Sequence, residues 1–551
     1  MRRGDAGEVD PLGGESAEHG GADAEVVAAG GGVALDEPAG LQGGEQPLHG
    51  AARCGDLRAE VDEPLGAWTA STRRISIARS TDCDRSDPDR SDPARSDLDR
   101  GVTTREYWSD SGTSGAITAH GGEAVITIGT ASPVAHQDIF DPQVYARGLP
   151  YEAYAWLREH DPVSWQDEPA VLGWPAGPGF WAVVRHADVA HVSRTPALFS
   201  AHAGATQVRD PVPQDLPSIQ RMMLNMDPPA HTRLRRIVSV GFTPRRIRAM
   251  EDTIRRHAVA VVDGVARRGE CDFAEDVGAD FPLLTLVDIM GVPTADRRLL
   301  LDWTNRVIGY QDDDFAAAPI DPDTGAPLNP RSPKALADMF AYAHELAEHK
   351  RRHPADDLLT TLVHADVEGD RLTDAEFEMM FFLFTVAGND TTHSAIPGGM
   401  LALLEQPDQL ARLTSDLDLL PGAIEEMLRF APPVIHFRRT ATADTELGGK
   451  RIGAGDKVVV FYPAANRDPA VFTDPDRFDI SRNPNPLLTF GIGPHFCLGN
   501  ALARMQLRVI FTEVLTRLRD LRLDGPVERL RSNFINGIKH MPVRFTAERT
   551  G

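Results

Sequence analysis

Phe490-Gly491-Ile492-Gly493-Pro494-His495-Phe496-Cys497-Leu498-Gly499 is a tight loop carrying one cysteine, set just ahead of a long helical pattern. Ala501, Leu502, Met505, Leu507, Ile510, Phe511, Val514 and Leu515 recur at helical spacing behind it. The sulfur of Cys497 therefore sits at a helix N-terminus. Unpaired backbone N–H groups and a partial charge of roughly +0.5 stabilise an anion there. A thiolate is favoured over a thiol. Without a second cysteine nearby or a histidine at zinc spacing, such a thiolate suits structural zinc poorly. It suits a single axial bond to haem iron. The alternative is a buried, inert cysteine.

The spacing of Phe490, Gly493, Cys497 and Gly499 resembles the haem-binding loop of the cytochrome P450 family. By that resemblance Gly493 lets the backbone turn tightly beneath the macrocycle, and Gly499 lets the helix approach it. Phe490 packs near the sulfur and limits water access. His495 lies near a haem propionate. The implied fold is mainly α with small β-sheets (α+β), a single haem domain. The implied cofactor is haem b (iron protoporphyrin IX).

The 551 residues allow several domains, and 42% hydrophobic content allows a large core. A net charge of -24 argues against unaided binding to nucleic acid or anionic lipid. Cys54, Cys83, Cys271 and Cys497 are too scattered for a disulfide framework, and a reducing compartment is expected. No run reaches the ~18 apolar residues of a membrane span, and Arg2 and Arg3 lack the apolar stretch of a signal peptide. A cytoplasmic location is expected, without stable membrane insertion.

Residues 1–125 differ from the rest: rich in Gly, Ala, Asp and Arg, with a Ser-Asp-Pro repeat between Asp84 and Pro93. Such a segment buries too little apolar surface to offset chain entropy, so a disordered acidic extension is expected. A mis-assigned translation start is a second reading, with Val125 as an alternative initiator codon. The resemblance covers residues 136–549. Within it, helices are expected from Tyr151 to Glu159, up to Ser193, and from Pro244 behind a Thr243 cap. Phe281 to Met290 is apolar. A strand is expected over 179–184 and a buried one over 458–462. Gln311 to Pro333 reads as an exposed loop.

Ala387-Gly388-Asn389-Asp390-Thr391-Thr392 lies in a helix opened by a Thr373–Glu376 capping box. A glycine, an acid and two threonines are poor helix design, and such local conflict marks a site. The block looks like the oxygen-activating stretch of the family's distal helix. By resemblance, Asp390 relays protons from solvent and Thr391 holds the proton-donating water beside dioxygen. The other reading is a kinked core helix with a solvated acid. Pro397, followed by Gly398 and Gly399, departs from the family pattern and is expected to bend or break that helix.

Glu426-Met427-Leu428-Arg429 places an acid and a base on one helical face. In the family this pair meets an arginine from a later loop, for which Arg477 is the match. His231 and Arg235 are four apart on a helix, and the resemblance assigns them to one haem propionate. Arg438 or Arg439 serves the other, with Arg439 preferred. Leu224 to Pro229 and Ser532 to His540 look like the actinobacterial branch that oxidises sterols, methyl-branched lipids and terpenoids.

The implied reaction inserts one oxygen atom from O2 into a C–H bond of an apolar substrate. Electrons come from a ferredoxin and its reductase, docked through Arg235, Arg236, Arg245 and Arg246. The pocket is expected around Met222 to Leu224, Phe384 to Gly388, Val434 to Phe437 and Phe534-Ile535. His436 is either a substrate contact or a packed side chain. A peroxide-driven peroxygenase and a non-catalytic haem-binding protein are the alternatives, and the Asp390–Thr391 pair argues against both.

Overall fold

In the computed structural model the chain divides into two units, 1–136 and 137–551. The structure describes residues 138–315 and 328–549, together with the backbone of six short strands between Val33 and Thr130. Those strands form one sheet. The extension expected over 1–125 otherwise lies outside the described residues, as does the middle of the Gln311–Pro333 segment.

In the second unit a five-stranded sheet contains β1 (Val163–Gln166), β2 (Phe180–Val183), β3 (Phe199–Ser200), β4 (His436–Ala441) and β5 (Lys457–Phe461). Their order is β1-β2-β5-β4-β3, antiparallel except for the β2–β5 pair. Every residue of β5 is buried, as its β-branched run requires. Helices form the larger part: α1 (Ala230–Val238), α2 (Pro244–Ala266), α3 (Asp280–Met290), α4 (Arg297–Ile308), α5 (Asp374–Leu404), α6 (Leu420–Phe430) and α7 (Asn500–Arg517). Helices at Tyr151–His160 and His186–Arg194 match the expected positions. Thr243 occupies the N-cap of α2, but its side chain makes no capping bond.

The 31-residue α5 organises the core. Its capping box is formed: the Glu376 N–H donates to Thr373 Oγ1 at 3.2 Å, and the Thr373 N–H donates to Glu376 Oε2 at 2.8 Å. Phe381, Ile396 and Met400 of α5 share one apolar cluster with Met427 and Leu428 of α6 and Ile510 and Phe511 of α7. The expected break at Pro397 does not occur, and α5 runs on to Leu404. Packing explains this. Ser394 to Leu403 are all buried. Gly398 and Gly399 bring the helix so close to α6 that a Cβ on either would stand 3.3 Å from Ala431 Cβ or 3.0 Å from Met427 Sδ. Tertiary burial outweighs the one hydrogen bond proline removes.

The segment after β5 also departs from expectation. Glu426 and Arg429 are fully buried and paired through Arg429 Nε and Glu426 Oε2 at 2.7 Å. Arg429 also donates to the carbonyls of Asn466, Pro475 and Arg477 at 2.8, 2.7 and 3.1 Å. The third side chain is Arg482, not Arg477: Arg482 Nε lies 3.1 Å from Glu426 Oε2. Arg477 contributes its backbone carbonyl while its side chain is exposed. The start of the acidic loop also differs from expectation. Gln311 and Asp312 are buried, with Gln311 Nε2 donating to Asn533 Oδ1 at 3.0 Å.

Arg429→Ala should therefore cost about 3–5 kcal/mol, the usual penalty for orphaning a buried charge. Arg482→Ala should destabilise clearly, and Arg477→Ala should stay within about 0.5 kcal/mol. Urea unfolding followed by circular dichroism checks the order. Equal losses at Arg477 and Arg482 would contradict it.

Candidate active site

Between α5 and the Phe490–Gly499 loop lies a cavity of about 280 Å³. Ala387, Gly388 and Thr391 form one wall, and Phe490, Cys497, Leu498 and Gly499 face them. Leu286, Ile289, Phe384, Val434 and Phe437 make the flanks apolar. His231, Arg235, Arg439, Tyr462 and His495 complete the lining.

The cysteine loop is held by its backbone. The Cys497 N–H donates to the Phe490 carbonyl at 2.8 Å, and Asn500 Nδ2 caps the Cys497 carbonyl at 2.8 Å. Gly493 has φ +78° (a left-handed conformation), and a Cβ on it would stand 2.6 Å from the Ser193 carbonyl oxygen. Only glycine meets both conditions. Gly499 is the N-cap of α7 and borders open space, so a Cβ there would meet nothing within 4 Å. Phe490 is pinned by the Arg504 guanidinium 4.3 Å above its ring, with Arg504 in turn bound to Glu425.

Burial pushes the Cys497 thiol up, against the opposing pull of the Gly499 N–H, Arg235 and Arg504. Contrary to the expected free thiolate, α7 begins three residues after Cys497, and the apolar wall outweighs the pull of the helix terminus. A bound metal ion reverses this, because coordination expels the thiol proton.

The polar end of the cavity is cationic and no carboxylate lines it; Asp227 acts on Arg439 and His231 from outside the lining. Arg439 is 4% exposed, and its hydrogen bond is to the Arg438 carbonyl at 2.8 Å. Arg235 donates to the Phe496 carbonyl at 2.6 Å. The His231 and His495 rings stand 4.3 Å apart. His231 Nδ1 and His495 Nε2 are buried without partners. Burial, reinforced by the arginines, pushes His231 down to about 4 and His495 down to about 2. Buried cations and orphaned imidazole nitrogens call for an anion. The carboxylates of a porphyrin answer that need, a flat apolar macrocycle suits the flanks, and the sulfur suits its iron. The residues present fit the group.

Strand alternation separates the two candidate arginines. Phe437 and Arg439 line the cavity. Arg438 turns away to Asp210 at 2.6 Å, and His436 is a packed residue whose Nδ1 bonds the Asn533 carbonyl at 2.9 Å. On α5, Thr391 Oγ1 donates to the Ala387 carbonyl at 2.8 Å. Asp390 is 9% exposed and lies behind the cavity wall, next to Asn389 rather than among the lining residues. Burial pushes its carboxyl up to about 7.

Of the expected pocket residues, Met223, Leu224, Phe384, Ala387, Gly388, Val434 and Phe437 line the cavity; Met222, Thr385, Val386, Ile435, His436, Phe534 and Ile535 do not. Phe534 instead packs on Phe437 and His436. Leu286, Ile289 and Tyr462 were not anticipated. No local pattern marks them, since their place follows from how α3 and β5 pack. Of the basic residues expected to dock a partner, Arg235 turns inward, Arg236 pairs with Glu368 at 2.8 Å and Arg246 with Asp356 at 3.7 Å. Among the described residues no helix is long and apolar enough to cross a membrane.

Fold and site together define a haem-thiolate protein. The Cytochrome P450 family model matches residues 328–534. Steroid C26-monooxygenase of Rhodococcus jostii is 39% identical over 412 residues, 74% of this chain and 84% of the relative. Methyl-branched lipid omega-hydroxylase of Mycobacterium bovis is 41% identical over 399 residues, 72% of this chain and 90% of the relative. The solved Mycobacterium marinum cytochrome P450 CYP268A2 in complex with pseudoionone is 40% identical, with a TM-score of 0.66 over 76% of this chain and 100% of that one. The chain belongs to the cytochrome P450 family. It is an enzyme of the P450 monooxygenase class.

Two outcomes follow from this geometry. Gly493→Ala should destabilise the protein by about 1–3 kcal/mol or more through backbone strain, and Gly499→Ala far less; thermal unfolding compares them. For Asp390, the folded-state value of about 7 exceeds the ordinary 3.8. Its stabilising contribution is full below pH 4 and lost as pH rises towards 7. Asp390→Asn should therefore be more stable than wild type at pH 8, with the gap narrowing on acidification. A gap that widens on acidification contradicts the assignment.

Proposed function

We propose that residues 136–549 form a haem b domain that inserts one oxygen atom of O2 into a C–H bond of a steroid or lipid. A single observation carries this reading. Cys497 and Thr391 line one apolar cavity that Arg235 and Arg439 also enter, with no carboxylate among the lining residues. Cys497 would bind the iron. Arg439, Arg235, His231 and His495 would hold the propionates through charge-assisted bonds. When bound, the haem supplies the activation of dioxygen.

The chain supplies protons, shape and dryness. Asp390 titrates near neutrality, so it can give and regain a proton at working pH. The Thr391 hydroxyl is committed to its own helix at Ala387. Rotating it from that carbonyl offers a donor and an acceptor to a water on the cavity side. Each turnover consumes two electrons and two protons, leaving one hydroxylated product and one water. The apolar lining selects by shape, and Met223 adapts to it. The names of the relatives, a steroid C26-monooxygenase and a methyl-branched lipid omega-hydroxylase, support a sterol- or lipid-sized substrate. Electrons come from a ferredoxin and its reductase in the cytoplasm, with Arg236, Arg245 and Arg246 near the docking face.

Adding sterols and methyl-branched lipids to ferric holoprotein should shift the Soret band as water leaves the iron. NADPH with surrogate ferredoxin and reductase should then yield hydroxylated product. Asp390→Asn and Thr391→Val should each lower product formed per NADPH by about 10²-fold or more, with the balance appearing as peroxide. Turnover with hydrogen peroxide but none with ferredoxin would overturn the reading in favour of a peroxygenase.

A further inference from the structure

Behind the cavity wall, α5 packs on α3 and α4 through a buried polar seam. Thr385 and Asn389 lie one turn apart on the same face of α5, 0% and 1% exposed. Thr385 Oγ1 and Asn389 Oδ1 have no hydrogen-bond partner. Thr285 of α3 is 0% exposed, and its Oγ1 is likewise unpartnered. Thr304 of α4 closes the third side: its Oγ1 donates to the Leu300 carbonyl at 2.7 Å and lies 3.4 Å from the Thr385 carbonyl.

Two close approaches fix the register of α3 against α5. A Cβ on Gly278, just ahead of α3, would stand 3.2 Å from Pro397 Cδ. One on Gly388 would stand 2.9 Å from Leu286 Cδ1. The segments therefore run antiparallel, which sets Thr285 at about the level of Asn389 along α5. Thr285 shares the face of α3 that carries Leu286 and Ile289, both turned toward α5 and the cavity.

Buried polar atoms left unpartnered, as at Thr285, Thr385 and Asn389, would each cost about 1–3 kcal/mol, which folded proteins avoid by binding water. The seam has the composition for it: hydroxyls that donate and accept, and an amide oxygen that accepts. The other end of the same amide matters to the site. Asn389 Nδ2 donates to Asp390 Oδ1 at 3.3 Å. No charged side chain perturbs Asp390; burial raises it and the Asn389 bond opposes. On the neighbouring helices Asp288 is engaged with His257, and Asp302 and Arg306 with each other. His393, one turn along α5, is held neutral by burial.

We propose that water bound among Thr285, Thr385 and Asn389 anchors the Asn389 amide, which in turn aims the Asp390 carboxyl for proton delivery. This rests on the reading of Asp390 as the relay acid. Thr285 and Asn389 are positioning residues. No proton passes through the amide: the water donates to Asn389 Oδ1, and Asn389 Nδ2 donates to the carboxylate. Where a charged partner could have set the readiness of this acid, a neutral hydrated seam does so. The seam thus connects the packing of α3 to the chemistry on α5.

The test uses the holoenzyme and the infrared carboxyl band of Asp390, identified by its loss in Asp390→Asn. Thr285→Val keeps the volume and removes the hydroxyl, and Asn389→Leu removes the amide. Both should move the midpoint of that band about one pH unit higher, since the carboxylate loses a hydrogen bond. Product formed per NADPH should fall severalfold, and Thr285→Ser should restore both. If Thr285→Val leaves midpoint and coupling unchanged while Asp390→Asn uncouples, this inference fails and the relay reading stands. If Asp390→Asn stays fully coupled, the relay reading itself fails and the inference falls with it. Should Asn389→Leu not fold, Thr285→Val with its serine rescue decides.

Discussion

Positive charge beside an apolar wall is the constraint around which this domain is arranged. Arg439 and Arg235 enter a cavity that offers them no carboxylate, and two imidazoles beside them keep buried nitrogens without partners. At the other wall a thiol sits where burial keeps it protonated. Neither end is favourable in the chain alone. A dianionic macrocycle with a central metal ion satisfies both at once. Binding the cofactor then also stabilises the fold, because any ligand that prefers the folded state does so.

The scaffold holds those ends in place from outside the cavity. The Glu426–Arg429–Arg482 cluster ties α6 to the segment that leads into the cysteine loop, through side chains and through carbonyls at Asn466, Pro475 and Arg477. Gly493 lets that loop press against Ser193. On the opposite side α5 passes over the cavity as an unbroken helix, with Gly388 against Leu286 and Gly399 against Met427. Its glycines therefore serve close helix packing as well as room for a ligand.

Much of this was legible in the residues. Cys497, the α5 block, the Glu426–Arg429 pair and the His231–Arg235 pair each combine a residue type with a spacing. The resemblance alone preferred Arg439 over Arg438, and period-two alternation in β4 is the physical reason that Arg439 lines the cavity while Arg438 does not. What stayed hidden depended on tertiary packing. Arg477 and Arg482 are both plausible partners for Glu426, and only the path of the chain after Phe478 decides between them. Pro397 carries a local penalty that the buried end of α5 outweighs. Leu286, Ile289 and Tyr462 reach the cavity because α3 and β5 dock where they do, and no short motif announces that. The protonation of Cys497 stayed hidden for a related reason: a helix terminus is local, whereas desolvation depends on everything around the sulfur.

The central claim is that Cys497 bonds, as a thiolate, to porphyrin iron. The most direct measurement is the absorption spectrum of the dithionite-reduced holoprotein under carbon monoxide, with Cys497→Ala beside it. The account predicts the long-wavelength Soret band of thiolate ligation in the native chain and its complete loss, together with turnover, in the variant. A native spectrum typical of histidine-ligated haem, or a variant that keeps both band and activity, would contradict it.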